Sequence, residues 1–278
     1  MKTKIIAELG CNHNGNIDIA KQMNEECAEL DLWGVKLQKR DVEGLGNEGL
    51  IPRKLENSFG ATYYHHRRAL EFSAEQIMEL YKLAKLRGLA FGVTVFDVAS
   101  AEQMRQLPLD FIKLPSQLYS NYSMCRAVLK DDDNAPEIFT STGMHTMQEI
   151  LEWQYLHMFD VVFYCRSMYP ANINDMNFAQ MRTLARAMQV HQSLGFSSHD
   201  KDGLGIYVAV LLGAEYVERH YTLDKTMKGS DHATVSSDKA DMKQIIDGID
   251  EAEAVLGNGN RDFLTEQEKK VRKVYRGF

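Results

Sequence analysis

Gly195-Phe196-Ser197-Ser198-His199-Asp200 and Val217-Glu218-Arg219-His220-Tyr221 decide how this chain folds. Each is the end of an apolar, strand-like run, and each carries a histidine there, His199 and His220. Between them, Gly203 to Gly213 is an apolar stretch that reads as a helix. Two parallel strands joined by a crossover helix would set the imidazoles side by side, because neighbouring strands lie roughly 4.8 Å apart. Two imidazoles at that spacing suit a divalent metal.

The same alternation extends back to the N-terminus. Strand patterns at 4–10, 33–38, 89–95, 110–115, 137–141 and 160–165 are interleaved with helical patterns at 17–30, 73–87, 100–107, 124–130, 146–158 and 177–189. A last amphipathic helix runs from Ala240 to Leu256 and stops at Gly257. Ser73 is placed to cap its helix. Apolar strands without polar alternation suit a parallel sheet covered on both faces. Eight such units fit a closed (β/α)8 TIM barrel better than an open doubly wound sheet. No Gly-x-Gly-x-x-Gly turn follows the first strand, which weighs against a dinucleotide fold. The expectation is one TIM-barrel domain over 1–278. It carries a long, glycine-rich loop insertion at about 39–71, a fair candidate for a lid, and a basic tail at about 264–278.

In such a barrel the C-terminal strand ends share one mouth. Read in order they supply Glu8, Lys36, Thr94, Lys113 with Ser116, Ser141 with Thr142, Ser167, His199 and His220. A lone lysine or serine at a strand end is unremarkable, but polar groups at all eight ends are hard to explain as packing. Lys36 and Lys113 bring positive charge, and Thr94, Ser116, Ser141 and Ser197 bring hydroxyl donors, a set suited to a small dense anion such as a phosphate plus a carboxylate. Glu8 offers a general acid or base. His199 and His220 would hold a metal acting as Lewis acid on a carbonyl oxygen. Together these point to carbon–carbon bond formation.

Bulk properties narrow the classes. The 278 residues carry a formal net charge of −7, with 44% hydrophobic and 26% charged residues, as an ordinary globular protein does. Basic residues cluster only in the tail, which reads as a solvated helix face, so no nucleic-acid partner is expected. No run is long enough to span a membrane and no leader is evident. Cys11, Cys27, Cys125 and Cys165 lack close paired spacing, so reduced thiols in a cytoplasmic protein are expected.

Ile6 to Gly15, Val35 to Gln38, Ile112 to Ser116, Ser141 to Met144, Gly195 to His199, Glu218 to Lys225 and Gly229 to His232 together resemble the sialic acid (N-acetylneuraminate) synthase family. The likeness is collinear from Lys4 to about Lys273. It implies condensation of phosphoenolpyruvate with an N-acetylhexosamine such as N-acetylmannosamine, releasing phosphate, with Mn²⁺ (or Mg²⁺ or Co²⁺) as cofactor. By that resemblance His199 and His220 are metal ligands. Lys36, Thr94, Lys113, Ser116, Ser141, Ser167 and Ser197 grip phosphoenolpyruvate. Glu8, Lys113, Tyr169 and Asp231 form the catalytic set, with Glu8, Tyr169 and Asp231 near the sugar and the metal. Tyr169 and Asp231 also have plain structural readings, as a strand-end turn and a loop cap.

Three departures stand out. Family members continue into a small antifreeze-like domain that caps the sugar site of a dimer partner, and this chain stops at Phe278. A homodimer or a separate capping chain is therefore an expected partner. Gln117-Leu118 stands where the family has Gly-Glu, which argues for a changed acceptor, and Ser198 replaces an aspartate expected to support His199. Two other readings remain open: a Schiff-base aldolase using Lys113 or Lys36, and a non-catalytic descendant that binds phosphoenolpyruvate or sugar without turnover.

Overall fold

Side chains on a strand alternate between two faces, so eight short parallel runs can enclose an apolar floor below and a polar mouth above. The computed structural model describes residues 2–54, 58–129, 135–227, 233–257 and 264–276. Its strands are β1 (Lys4–Gly10), β2 (Gly34–Lys39), β3 (Ala90–Val95), β4 (Phe111–Leu114), β5 (Glu137–Ser141), β6 (Val161–Cys165), β7 (Ser193–Ser198) and β8 (Tyr216–His220). Each pairs in parallel with the next, and β8 returns to β1, closing the expected TIM barrel.

The helices are α1 (Ile17–Glu29), α2 (Tyr63–Leu70), α3 (Ala74–Leu86), α4 (Val98–Met104), α5 (Tyr122–Val128), α6 (Met147–Glu152), α7 (Phe178–Ala187), α8 (Leu204–Leu211), α9 (Lys239–Leu256) and α10 (Glu266–Arg276). Ser73 and Gln76 form a capping box that starts α3, as Thr146 and Glu149 do for α6. The predicted helix over 146–158 breaks after Glu152, and a separate 3₁₀ turn covers Leu156–Met158. The whole of α10 is solvent-facing, with no buried residue, as a basic solvated face should be. Among the described residues no helix is long and apolar enough to cross a membrane. No disulfide joins the four cysteines.

The expectation of an extended loop at 39–71 is corrected. A 3₁₀ stretch, Glu43–Leu50, kinks at Gly46, and α2 follows from its cap at Thr62. Residues 55–57 lie outside the described set. The sequence Tyr63-Tyr64-His65-His66-Arg67-Arg68 hides α2, because its inward face is made by His66, Arg67 and Leu70 rather than by an apolar stripe.

Inside the barrel, Ile6, Phe111, Phe139, Val161, Phe163 and Tyr216 form a separate buried cluster beneath the mouth. Phe111 and Phe139 stack with centroids 4.5 Å apart, and Tyr216 meets Phe139 edge-on at 5.4 Å. A Cβ at Gly92 would stand 2.2 Å from the Phe111 ring, so glycine there is what lets that ring fill the floor. The outward-facing residues of the strands, among them Ala7, Leu9, Val35, Leu37, Phe91 and Val93, pack into the larger core shared with the helices.

The turn after β1 buries His13, which stacks on Phe72 at 4.1 Å and accepts the Gly15 N–H at its Nδ1 at 3.1 Å. Burial pushes this imidazole down to about 4 from an ordinary value of 6.5. Folding therefore favours the neutral ring. Its contribution is whole above pH 6.5 and is lost as the pH falls through that value towards 4, up to about 3 kcal/mol. Chemical denaturation at stepped pH should show a flatter stability profile between pH 6.5 and 4 for His13→Gln than for the parent chain. Parallel profiles would remove His13 as the cause.

Candidate active site

β1 and β2 bring Glu8 opposite Lys36, and the two side chains form an ion pair at the mouth. Lys36 Nζ also donates to Thr94 Oγ1 on β3 at 2.5 Å. Across the mouth, Lys113 on β4 donates to Glu218 Oε2 on β8 at 2.8 Å, and the same oxygen is 3.7 Å from Lys36. The Ser197 hydroxyl on β7 donates to Glu218 Oε1 at 3.0 Å. Lys113 lies 4.0 Å above the centre of the Phe163 ring, so its cation rests on the aromatic floor. All four charged side chains are at most 7% exposed.

Burial at that depth disfavours every charge, and the partners decide which survive. For Glu218, burial alone would raise the carboxyl, but the charges of Lys113 and Lys36 and the hydrogen bonds it accepts from Lys113 and Ser197 outweigh it and hold it well below its ordinary value. Glu8 goes the other way: burial, reinforced by the charge of Glu218, raises it in spite of Lys36. Burial, aided by Lys36, lowers the Lys113 ammonium. The mouth thus holds one firmly ionised carboxylate between two lysines and one carboxylate poised to take a proton.

His199 and His220 come together as expected, with ring centroids 5.9 Å apart, and Tyr169 packs on His199 at 4.3 Å. His199 Nδ1 lies 2.7 Å from the Arg166 carbonyl, which can only accept. The proton therefore sits on Nδ1 and the lone pair on Nε2, the tautomer a metal ligand requires. His199 in that state, with the His220 ring beside it, offers the nitrogen donor that a divalent ion takes. Among the described residues no group of three or more His, Cys, Asp or Glu side chains could hold one. Asp231 lies outside the described residues.

A cavity of about 340 Å³ opens over these groups. Glu8, Lys36, Thr94, Lys113, Ser116, Ser141, Ser167, Tyr169, Ser197, His199 and His220 all line it, so every described residue of the predicted site meets in one place. Thr142 does not line it; its hydroxyl donates to the Phe163 carbonyl at 3.2 Å. Two inferences drawn from sequence departures are revised. Leu118 packs on the core while Gln117 lines the cavity, so position 117 is the one that meets a ligand. Ser198 points away from His199 and donates to Asp200 at 2.5 Å, where Arg219 also reaches it at 3.0 Å.

Glu218 was the residue the motif reading passed over. It lies two positions before His220, so the period of a strand puts both on the inner face, and that spacing was the available signal. Gln38, two residues after Lys36, is the same case; its amide donates to Glu8 Oε1 at 2.7 Å. Arg40, Tyr63 and Arg67 also line the cavity, the last two from α2.

Comparison with known proteins bears on the family and the fold. The profile of the NeuB family matches residues 23–261. The chain is 32% identical over 269 residues to the N-acetylneuraminate-9-phosphate synthase of Homo sapiens, covering 94% of this chain and 73% of that protein. It is also 32% identical over 269 residues to the N,N'-diacetyllegionaminic acid synthase of Legionella pneumophila, covering 92% of this chain and 74% of that one. Among solved structures, the N-acetylneuraminic acid synthetase of Leptospira borgpetersenii superposes with a TM-score of 0.82 at 23% identity, covering 99% of this chain and 93% of that chain.

The charge arrangement ranks two isosteric variants. Glu218→Gln leaves buried Lys113 without its counter-charge and Lys36 with Glu8 alone, and should cost about 3–5 kcal/mol in chemical denaturation. Glu8→Gln should cost less, because the carboxylate it replaces faces one lysine rather than two and is already disfavoured by burial. The reverse order would contradict the assignment of Glu218 as the shared counter-charge.

Proposed function

The chain belongs to the NeuB family, and from that premise we propose that it condenses phosphoenolpyruvate with the open-chain aldehyde of an N-acetylhexosamine, giving a nonulosonic acid and phosphate. The observation that carries this reading is the pair of buried ammonium groups, Lys36 and Lys113, in a hydroxyl-lined cavity beside two imidazoles. Phosphoenolpyruvate presents a carboxylate and a phosphate on a three-carbon frame, and two fixed cations with Thr94, Ser116, Ser141, Ser167 and Ser197 match that charge.

With the substrate so held, C3 of the enol attacks the aldehyde carbon and a new carbon–carbon bond forms. The positive charge that develops at C2 is taken up by water, which adds there and loses a proton. The tetrahedral adduct then expels phosphate by breaking the C2–O bond, so the bridging oxygen leaves with phosphorus. Glu8, raised by burial, is placed to supply a proton to the aldehyde oxygen as it becomes an alkoxide. Lys36 and Lys113 keep the anion in place throughout, in a site where water is scarce and their charges act strongly. A divalent ion on His199 and His220, Mn²⁺ with Mg²⁺ or Co²⁺ as alternatives, would polarise the aldehyde. Tyr169, packed on His199, would border the sugar.

One observation favours the Schiff-base alternative. A buried lysine with a lowered ammonium, as at Lys113, is what imine chemistry needs. Its pairing with Glu218 at 2.8 Å favours the charged form, which suits anion binding instead.

Phosphate release from phosphoenolpyruvate, assayed with Mn²⁺ and a panel of N-acetylhexosamines, should depend on sugar and be abolished by EDTA. Lys113→Ala should lower it by about 10²–10³-fold. Turnover that survives EDTA, with borohydride trapping a substrate on Lys113, would replace this reading with the aldolase. A Cβ at Gly143 would stand 2.3 Å from Ser167 Oγ and 2.8 Å from both Ser116 Oγ and Cys165 Sγ. Gly143→Ala should therefore raise KM for phosphoenolpyruvate by about tenfold or more, the equivalent of roughly 1.4 kcal/mol, while leaving KM for the sugar nearly unchanged.

A further inference from the structure

Two neighbouring loops carry much of the serine wall of the cavity. The 3₁₀ turn after β4 presents Ser116 and Gln117, and the chain after β5 runs through Ser141, Gly143 and Met144 before Thr146 starts α6. Gly143 is packed tightly against both sides of that wall. A Cβ on it would stand 2.8 Å from Ser116 Oγ and 2.3 Å from Ser167 Oγ. The position of Gly143 therefore sets how the serine hydroxyls are spaced.

Gly143 is held from behind. His145 Nδ1 lies 2.9 Å from the Gly143 carbonyl, which can only accept, so that nitrogen carries the proton. The lone pair is then on Nε2, where it accepts the Ser120 hydroxyl of the β4 loop at 3.2 Å. One imidazole thus bridges the two loops. Tyr119, next to Ser120, crosses in the other direction. Its hydroxyl donates to the Ile150 carbonyl of α6 at 2.9 Å, and its ring meets the His145 ring edge-on at 5.0 Å. Neither His145 nor Ser120 lines the cavity, so any effect they have on a ligand passes through the loops.

The backbone spanned by the imidazole is strained. Met144 has a φ of 66°, in the left-handed region that residues other than glycine rarely adopt. Such a conformation persists only where its surroundings over-determine it. On one side of Met144, the Thr142 N–H donates to the Phe163 carbonyl at 3.0 Å. On the other, the bond from His145 to the Gly143 carbonyl closes around Met144 itself.

We propose that His145 is a positioning residue for phosphoenolpyruvate: by joining Gly143 to Ser120 it fixes the spacing of the Ser116, Ser141 and Ser167 hydroxyls without touching the ligand. This rests on the reading that those hydroxyls hold phosphoenolpyruvate. Loss of the imidazole lets Met144 relax towards negative φ, and Gly143 then shifts relative to the serines it separates.

The test measures kcat and both KM values by phosphate release for the parent chain, His145→Ala, His145→Asn and Ser120→Ala. His145→Ala should raise KM for phosphoenolpyruvate about fivefold to tenfold, the scale of one or two neutral hydrogen bonds, with KM for the sugar unmoved. An asparagine amide stands where Nδ1 does, so it still donates to Gly143 but falls short of Ser120. His145→Asn should therefore bring KM back to within about threefold of the parent value. Ser120 is exposed, so Ser120→Ala leaves the fold intact. It should raise KM for phosphoenolpyruvate by about twofold to threefold on the parent chain and add nothing to His145→Asn. A fall in kcat with KM for phosphoenolpyruvate unmoved, as loss of folded protein would give, overturns the proposal. So does an equal rise in both KM values, or an asparagine variant no better than alanine. Calorimetry with phosphoenolpyruvate alone separates this role from the condensation. Binding weakened in His145→Ala and restored in His145→Asn, with no turnover of any sugar, keeps the positioning role and discards the condensation. Turnover with phosphoenolpyruvate affinity indifferent to residue 145 keeps the condensation and discards the role. A parent chain that does not bind phosphoenolpyruvate overturns both.

Discussion

Glu218 holds the mouth of the barrel together. Two lysines cannot be buried within reach of one another without a counter-charge, because desolvation and mutual repulsion would drive the proton off at least one. Glu218 lies 2.8 Å from Lys113 and 3.7 Å from Lys36, and Ser197 steadies its other oxygen. That arrangement keeps cationic groups at the centre of a protein interior, where an incoming anion feels them with little screening. The fold supplies the rest. Parallel closure brings β8 back beside β1, so His220 and Glu8 become register partners and the imidazole pair adjoins the charge cluster.

The aromatic floor matters for the same reason. Phe111, Phe139, Phe163 and Tyr216 fill the barrel beneath the lysines and exclude water from below. Lys113 stands directly on Phe163, so part of its lost hydration is replaced by the ring face. From there outward the cavity changes character, from lysines over aromatic rings to imidazoles and then to arginines stacked on Phe96 and Tyr63. A gradient of that kind suits a ligand pair that is anionic at its inner end and extended towards the rim.

Much of this was legible in the sequence because strands report their own period. Once eight apolar runs are assigned as parallel, their last inward residues must share a mouth, and Glu8, Lys36, Lys113, His199 and His220 follow. Glu218 was harder to see. In β8 it stands between Val217 and Arg219 with nothing local to mark it as the inward charge, and its partners are 105 and 182 positions away in the chain. The helix α2 was missed because its buried face is made of His66 and Arg67, which carry no apolar signal. Ser198 was misjudged for a geometric reason: adjacent strand residues face opposite ways, so it could not reach the ring it was expected to support. Tyr63 and Arg67 were likewise obscured as cavity residues, since they join Gln38 and Arg40 in one wall only when α2 is set beside β2.

The proposed reaction is carbon–carbon bond formation with departure of phosphate from C2. Phosphoenolpyruvate labelled with ¹⁸O at the bridging position tests that most directly, with the products of a turnover resolved by mass spectrometry. Breakage of the C2–O bond predicts that the label leaves in inorganic phosphate and that the new keto acid is unlabelled. Label retained on the carbon product, through breakage at phosphorus, would contradict the mechanism drawn from Lys36, Lys113 and Glu218.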